Sequence, residues 1–213
     1  MSDSDMATAA TAAFLNSVSC EWLHDSARES ATAVLLDSVA CGAAGATVPA
    51  GRSLLDTWGF SADGWIQARD RPMAAVAGAN AQAANILDFD TTYRNIGHPG
   101  SVAACTALTV GARMGASGQD VLTALAAGYE VAARVGRALQ PSPQRRERVW
   151  PWGSWHVFAA AGAAAVLRGL SEAECRQAIN IACGIAPVSM VNRILEPPST
   201  ILKNAHQWVT RAG

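Results

Sequence analysis

The chain has 213 residues, of which 50% are hydrophobic and 15% charged, with a formal net charge of −1. That length and composition suit one large domain, or at most two small ones, with a sizeable buried core, and they exclude an extensively disordered chain. Without clustered positive charge, neither a nucleic acid nor a membrane surface is an expected partner.

The N-terminus, Met1-Ser2-Asp3-Ser4-Asp5, is acidic, where a secretory leader would open with basic residues and an apolar run. Residues 1–23 read as an N-terminal helix or arm, and 24–213 as a single helical core. From His24 to Cys41, Ala27, Ala31, Val34, Leu35 and Val39 fall on one face at spacings of three and four, the period of an amphipathic helix. The pattern breaks between Gly59 and Pro72, where Trp65-Ile66-Gln67-Ala68 is a short, isolated strand candidate. It breaks again between Asp88 and Gly100. After Gly118, Val121, Leu125, Tyr129, Ala132 and Leu139 return to helical spacing, and Glu130 precedes Arg134 by one turn in the favourable order.

A third break, Gln140–Gly153, holds Pro141, Pro143, Arg145, Arg146, Arg148, Pro151 and two tryptophans. The three arginines read mainly as a solvated loop. Phe158–Leu167 is built from small residues throughout, so neighbouring backbones can approach it closely; this predicts a helix in the middle of the bundle. Ser171 with Glu174 is a capping box for the next helix, and Pro187 ends or kinks it. A last break, Glu196–Thr200, contains Pro197-Pro198. The predicted fold class is all-α, a helical bundle. The longest apolar run, Val157–Leu167, is far short of the ~20 residues a membrane span requires, so a soluble, cytoplasmic protein is expected. Cys20, Cys41, Cys105, Cys175 and Cys183 are odd in number and without C-x-x-C spacing, and read as reduced, structural thiols.

Three clusters could carry chemistry. The densest is Asp88–Gly100, which gathers Asp88, Asp90, Thr91, Thr92, Tyr93, Arg94 and His98 between two apolar helices. Asp and His are common proton-transfer groups, and Arg suits a carboxylate clamp. The structural alternative has Asp88 or Asp90 capping a turn and His98 as a hydrogen-bonded loop histidine. A metal at Asp88 and Asp90 lacks the His pair at helical spacing that would support it. In the second cluster Lys203 and His206, three apart, share a helix face and could donate to an anionic substrate; a solvated helix start is the alternative. In the third, Trp150, Trp152, Trp155 and His156 build core or interface, or line an apolar substrate pocket. No dinucleotide glycine fingerprint, P-loop, G-x-S-x-G or H-E-x-x-H occurs, which argues against nucleotide cofactors and serine-hydrolase chemistry.

From about Asp25 onward the chain resembles the MmgE/PrpD family, enzymes that dehydrate, decarboxylate or epimerise small organic acids. Leu87-Asp-Phe-Asp-Thr-Thr92, Gly97-His-Pro-Gly100, Gly128-Tyr-Glu-Val131 and the alanine-rich segment ending Leu167-Arg-Gly-Leu170 carry the match, with Lys203 and His206 fitting the family's Lys-x-x-His. The resemblance implies Asp88 and His98 in proton transfer, Lys203 as donor to a substrate carboxylate and Thr92 assisting. Tyr93, Arg94, Trp152, His156 and His206 are the further candidates for substrate contact. It implies proton removal next to a carboxylate or carbonyl, with no metal and no organic cofactor.

Two departures follow from the same comparison. Trp150 stands where the family usually has the histidine of a His-Pro pair, which points to a less polar substrate than a tricarboxylate. Family members are about twice as long, with an α+β second half not found here. The expectations are a split enzyme assembled with a chain supplying that half, a homodimeric half-size enzyme in a specialised biosynthetic pathway, or a non-catalytic ligand-binding or scaffold module.

Overall fold

The computed structural model describes residues 3–61, 69–94, 97–140, 142–146, 149–150, 153–186, 189–190 and 201–213; the side chains of 3–5, 145–146, 149–150, 189–190 and 201–205 are outside the description. Ten α-helices account for nearly all of it: α1 (Asp3–Ser17), α2 (Asp25–Gly45), α3 (Pro49–Thr57), α4 (Met73–Asn85), α5 (Pro99–Met114), α6 (Gly118–Ala138), α7 (Pro143–Arg146), α8 (Val157–Leu167), α9 (Glu172–Ile185) and α10 (Ile201–Ala212). Two 3-10 turns, Cys20–Trp22 and Ser154–His156, connect them. The one ladder among the described residues is a two-residue antiparallel pair, β1 (Val149–Trp150) with β2 (Ser189–Met190), in which Trp150 faces Ser189. The expected all-α bundle is therefore the observed architecture. The strand candidate Trp65–Ala68 and the break at Glu196–Thr200 lie outside the described residues.

Helix boundaries follow local chemistry. Pro49 and Pro99 open α3 and α5, where a missing N–H is harmless. Gly115, in the left-handed region at φ 67°, closes α5 and sends its N–H back to the Gly111 carbonyl. The Ser171–Glu174 capping box forms as read from the sequence. A second box, Ser117 with Asp120, heads α6, where the shorter Asp side chain makes the pattern less conspicuous. On α6 the Glu130–Arg134 pair also forms, at 2.7 Å.

α8 occupies the centre, with Val157–Ala163 and Ala165 buried and α6, α5, α9, α10 and α1 packed around it. Its small side chains let α6 approach until backbone meets backbone. A Cβ on Gly128 would strike the Ala159 carbonyl and lie 2.9 Å from Ala163 N. Larger side chains then fill the flanks: Leu125, Val131 and Phe158 are buried, each contributing roughly 1.5–3 kcal/mol. α4 is buried from Val76 to Asn85, enclosed by α2, α5 and α10.

One periodicity expectation holds in part and one is corrected. On α2, Ala31 is buried and Val34 and Leu35 pack half-buried against the core, but the deepest of the other positions are Ser38, Gly42 and Gly45. Close approach to α4 selects small residues there: a Cβ on Gly45 would collide with the Ala83 carbonyl. Leu139, placed in the buried face of α6, caps the helix beyond its last packed turn and is 47% exposed. Of the cysteines, Cys105 and Cys175 are buried, Cys41 is half-buried, Cys20 and Cys183 are exposed, and none is disulfide-bonded. No single helix among the described residues is long and apolar enough to cross a membrane.

Candidate functional site

The connection from α4 to α5 brings Asp88, Asp90 and His98 together. Asn85 ends α4, and its carbonyl accepts the Asp88 amide N–H at 2.9 Å, turning the chain. Asp88 takes φ 58°, a left-handed conformation tolerated by Asp more readily than by most side chains. Asp90 then dives into the core at 2% exposure, its Oδ1 accepting from Asn85 Nδ2 at 2.9 Å. Asp37, on α2, ties down the next residue by accepting both the amide (2.8 Å) and the hydroxyl (2.7 Å) of Thr91. The loop closes when the Tyr93 amide donates to the Gly97 carbonyl at 2.8 Å.

His98 sits at the N-cap of α5 with its ring between the two carboxylates. Nδ1 lies 3.1 Å from the Asp90 carbonyl and 3.2 Å from Asp90 Oδ1. Nε2 lies 3.4 Å from Asp88 Oδ1. Carbonyl and carboxylate oxygens only accept, so Nδ1 carries a proton, and with a charge on Asp88 both ring nitrogens are held as donors. Burial pushes the His98 imidazole down, but the hydrogen bond and charge of Asp90, with the Asp88 charge, outweigh it and hold the group above its ordinary value. Burial pushes the Asp90 carboxyl up, and the His98 hydrogen bond, the His206 and His98 charges and the Ser101 hydroxyl more than offset it. The polarity is directional: Asp90 orients the ring from inside, whereas the Asp88 side chain is 52% exposed.

Two more histidines converge here from distant sequence. His156, ending the 3-10 turn before α8, accepts the His98 amide N–H at Nε2 (3.0 Å). His206, on α10, faces the His98 carbonyl with Nε2 at 3.3 Å. Their rings are 5.0 Å apart. Burial, then the charges of His206 and His98, hold His156 well below its usual value, so it is neutral and carries its proton on Nδ1. The approach depends on Gly97, at φ 151°, where a Cβ would lie 2.5 Å from His156 Nε2 and 2.8 Å from the Trp155 ring.

The remaining expectations divide. Tyr93 is half-buried against Tyr129, ring to ring at 6.0 Å. Thr92 and Arg94 are exposed on the same loop, Arg94 over the Tyr93 ring at 5.9 Å. His156 and His206, two of the candidates for substrate contact, are fully buried and contact the His98 main chain. Trp155 takes the first of the two readings given for its cluster and is core, fully buried against Gly136. Lys203 lies one turn before His206 in α10, its side chain outside the described residues; Trp152 is outside them entirely. Asp37 and Asn85 went unremarked in the sequence: Asp37 acts across the fold on Thr91, and Asn85 bonds Asp90 five residues on without a recognisable motif, while Gly97 was read only as part of Gly97-His-Pro-Gly100. Burial, followed by the charges of Asp37 and Asp90, pushes the Cys41 thiol up to about 11, which removes it as a nucleophile near neutral pH. A cleft of about 460 Å³ between α1 and α6, lined by Phe14, Trp22 and Arg134, shares no residue with this cluster.

Residues 9–210 match the family model described as the MmgE/PrpD N-terminal domain. The chain belongs to that family. Human cis-aconitate decarboxylase is 30% identical to this MmgE/PrpD chain over 139 residues, covering 63% of the chain. The match spans only 29% of that relative's length. In this MmgE/PrpD domain, then, a carboxylate–imidazole–carboxylate array stands at the head of a buried helix. Its relatives include an enzyme of organic-acid chemistry.

Proposed function

We propose that this MmgE/PrpD domain belongs to a lyase- or isomerase-like enzyme that moves a proton next to a carboxylate or carbonyl of a small organic acid. The observation that carries the reading is His98 held between buried Asp90 and half-exposed Asp88. Asp88 takes the proton from the substrate carbon as the C–H bond breaks, and its electron pair moves toward the adjacent carbonyl carbon. His98 delivers a proton from Nε2 to the departing hydroxyl in a dehydration, or to the carbanion carbon in an epimerisation. In a decarboxylation, C–C cleavage releases CO2 and the same proton quenches the carbanion. Dehydration and epimerisation return the Asp88–His98 pair to its starting charge once the proton on Asp88 is passed back, whereas decarboxylation takes one proton from His98 and abstracts none, so solvent reprotonates the imidazole.

Lys203 serves as donor to a substrate carboxylate, with Thr92, Tyr93 and Arg94 at the rim. Trp150 at the position of the family's histidine favours a substrate less polar than a tricarboxylate. The domain works with a further half, supplied by a second chain or by a longer form of its own, as the 29% coverage of the decarboxylase supports. The same Trp150, in place of a polar donor, favours a non-catalytic ligand-binding or scaffold module as the second reading.

The test is turnover by the assembled protein with cis-aconitate and with smaller mono- and dicarboxylic acids as probes. Under the first reading, Asp88→Asn and His98→Asn each lower kcat by about 10²-fold or more, the usual scale of acid–base catalysis. Retention of full activity by both variants refutes it. Under the second reading neither protein turns over any probe, and ligand binding survives both substitutions.

A further inference from the structure

We propose that His156 and His206 are positioning residues that clamp the main chain of His98 from opposite sides, one accepting its amide N–H and the other donating to its carbonyl. Their functional meaning rests on the reading of His98 as the proton-transfer group; their geometry does not.

His98 occupies the N-cap of α5, so its amide lies outside the helical ladder and needs an acceptor from elsewhere. At 6% exposure that acceptor cannot be bulk water, and a buried N–H without a partner is strongly disfavoured. Pro99 follows, so the next residue offers no N–H and no freedom in φ. The His156 ring fills the need with Nε2 at 3.0 Å, a contact open to it only as the neutral Nδ1–H tautomer. On the other side, His206 Nε2 lies 3.3 Å from the His98 carbonyl and must carry hydrogen there, because a carbonyl cannot donate. One ring therefore accepts and the other donates, across the two peptide units that flank a single residue.

The clamp matters because the ring of His98 has little tolerance for displacement. Nδ1 must keep two Asp90 oxygens within 3.2 Å while Nε2 keeps Asp88 Oδ1 within 3.4 Å. Asp88 and Asp90 lie on the same loop as His98; Asn85 of α4 and Asp37 of α2 anchor that loop at Asp90 and Thr91, and the two imidazoles hold its far end at His98. His156 comes from the turn before α8 and His206 from α10, both parts of the packed bundle. Gly97 completes the arrangement, leaving room for the imidazole where any Cβ would displace it.

The other titratable groups around His98 are Asp88 and Asp90 on its own loop, Asp37 and Cys41 on α2, and Cys105 on α5, with Lys203 one turn before His206 on α10. Of these, the two loop aspartates touch the ring, and their hold on it is what the clamp preserves. Loss of the clamp should therefore lower the pH at which the His98 ring titrates, toward the value of a free imidazole.

The experiment is NMR titration of the imidazoles in the intact chain, which has four: His24, His98, His156 and His206. In the wild type, His156 should read as the Nδ1–H tautomer and remain neutral from pH 5 to 8.5 (roughly two pH units either side of an ordinary imidazole). An Nε2–H tautomer, or ordinary titration of His156, overturns the proposal without any variant being made. His156→Gln keeps an acceptor and should leave the His98 midpoint in place. His156→Leu removes it and should lower that midpoint by on the order of one pH unit. His206→Gln, which keeps a donor, and His206→Leu should divide in the same way. An unmoved His98 midpoint in folded Leu variants, or equal shifts for Gln and Leu, overturns the proposal. Because these readouts need no substrate, they stand or fall separately from the catalytic role of Asp88 and His98.

Discussion

Gly97→Ala is the most direct probe of how the histidine site is built. At φ 151° an L side chain is strained, which costs roughly 1–3 kcal/mol. The added methyl would also lie 2.5 Å from His156 Nε2 and 2.8 Å from the Trp155 ring. Both are fully buried planar rings with no flexible end to swing aside, so overpacking adds a similar 1–3 kcal/mol. A total near 4 kcal/mol corresponds to a fall in Tm of about 8–16 °C for a domain of this size. Thermal and urea unfolding measure it directly. A double-mutant cycle isolates the imidazole's share: in a His156→Ala background the clash with that ring is relieved, while the Trp155 contact and the backbone strain stay. The two substitutions should therefore couple by about 0.5–3 kcal/mol, the sign being that of relief. Gly97→Ala within about 1 °C of wild type, or strictly additive with His156→Ala, would refute the close-approach reasoning.

Two further predictions concern stability. Gly128→Ala should destabilise by about 1–3 kcal/mol although alanine is the better helix former, because its Cβ meets backbone atoms of α8. Gly184→Ala, on a helix surface with nothing within 4 Å, should stabilise by about 0.5–1 kcal/mol; urea midpoints of the two variants must move in opposite directions. The histidines should also give a stability maximum near pH 6.5. His98, raised in the folded state from 6.5, contributes fully below that pH, and the contribution fades as pH rises through the higher folded value. His156, lowered from the same 6.5, contributes above it and fades as pH falls. Each limb has a slope of at most about 1.4 kcal/mol per pH unit. Denaturation across pH 4.5–8.5 (roughly two units either side of a free imidazole) should show His98→Gln flattening the alkaline limb and His156→Gln the acid one; unchanged limbs would contradict the assignment.

The features legible in the sequence are those set by neighbours a few residues apart. Ser171 reaches Glu174 and Arg134 reaches Glu130 within one turn, so spacing alone revealed them. The small side chains of Phe158–Leu167 marked a central helix because close backbone approach needs little besides small size. The pairing of Asp88 with His98 emerged from the motif at that loop. What stayed hidden depends on partners far along the chain. Asp37 looks like any surface acid in α2 until Thr91 is seen donating to it twice. Ser38 is a buried polar residue in the helical stripe, satisfied locally by the Val34 carbonyl, where periodicity favours apolar ones. The aromatic cluster left core and pocket both open, and what draws His156 and Trp155 inside is the space left by the missing side chains of Gly97 and Gly136.

The two imidazoles that grip His98 come from 58 and 108 residues further along the chain, and the acid that fastens Thr91 from 54 residues earlier. Contacts of that sequence separation form late, after the entropy of closing large loops has been overcome. During synthesis the Asp88–His98 segment leaves the ribosome well before His206 exists, so it spends that interval with its carboxylates and imidazole unregistered. The registered geometry of the cluster thereby becomes a property of the finished bundle. A nascent or partly unfolded chain that retains the entire motif from Asp88 to Gly100 lacks the fixed geometry that gives the motif chemical force.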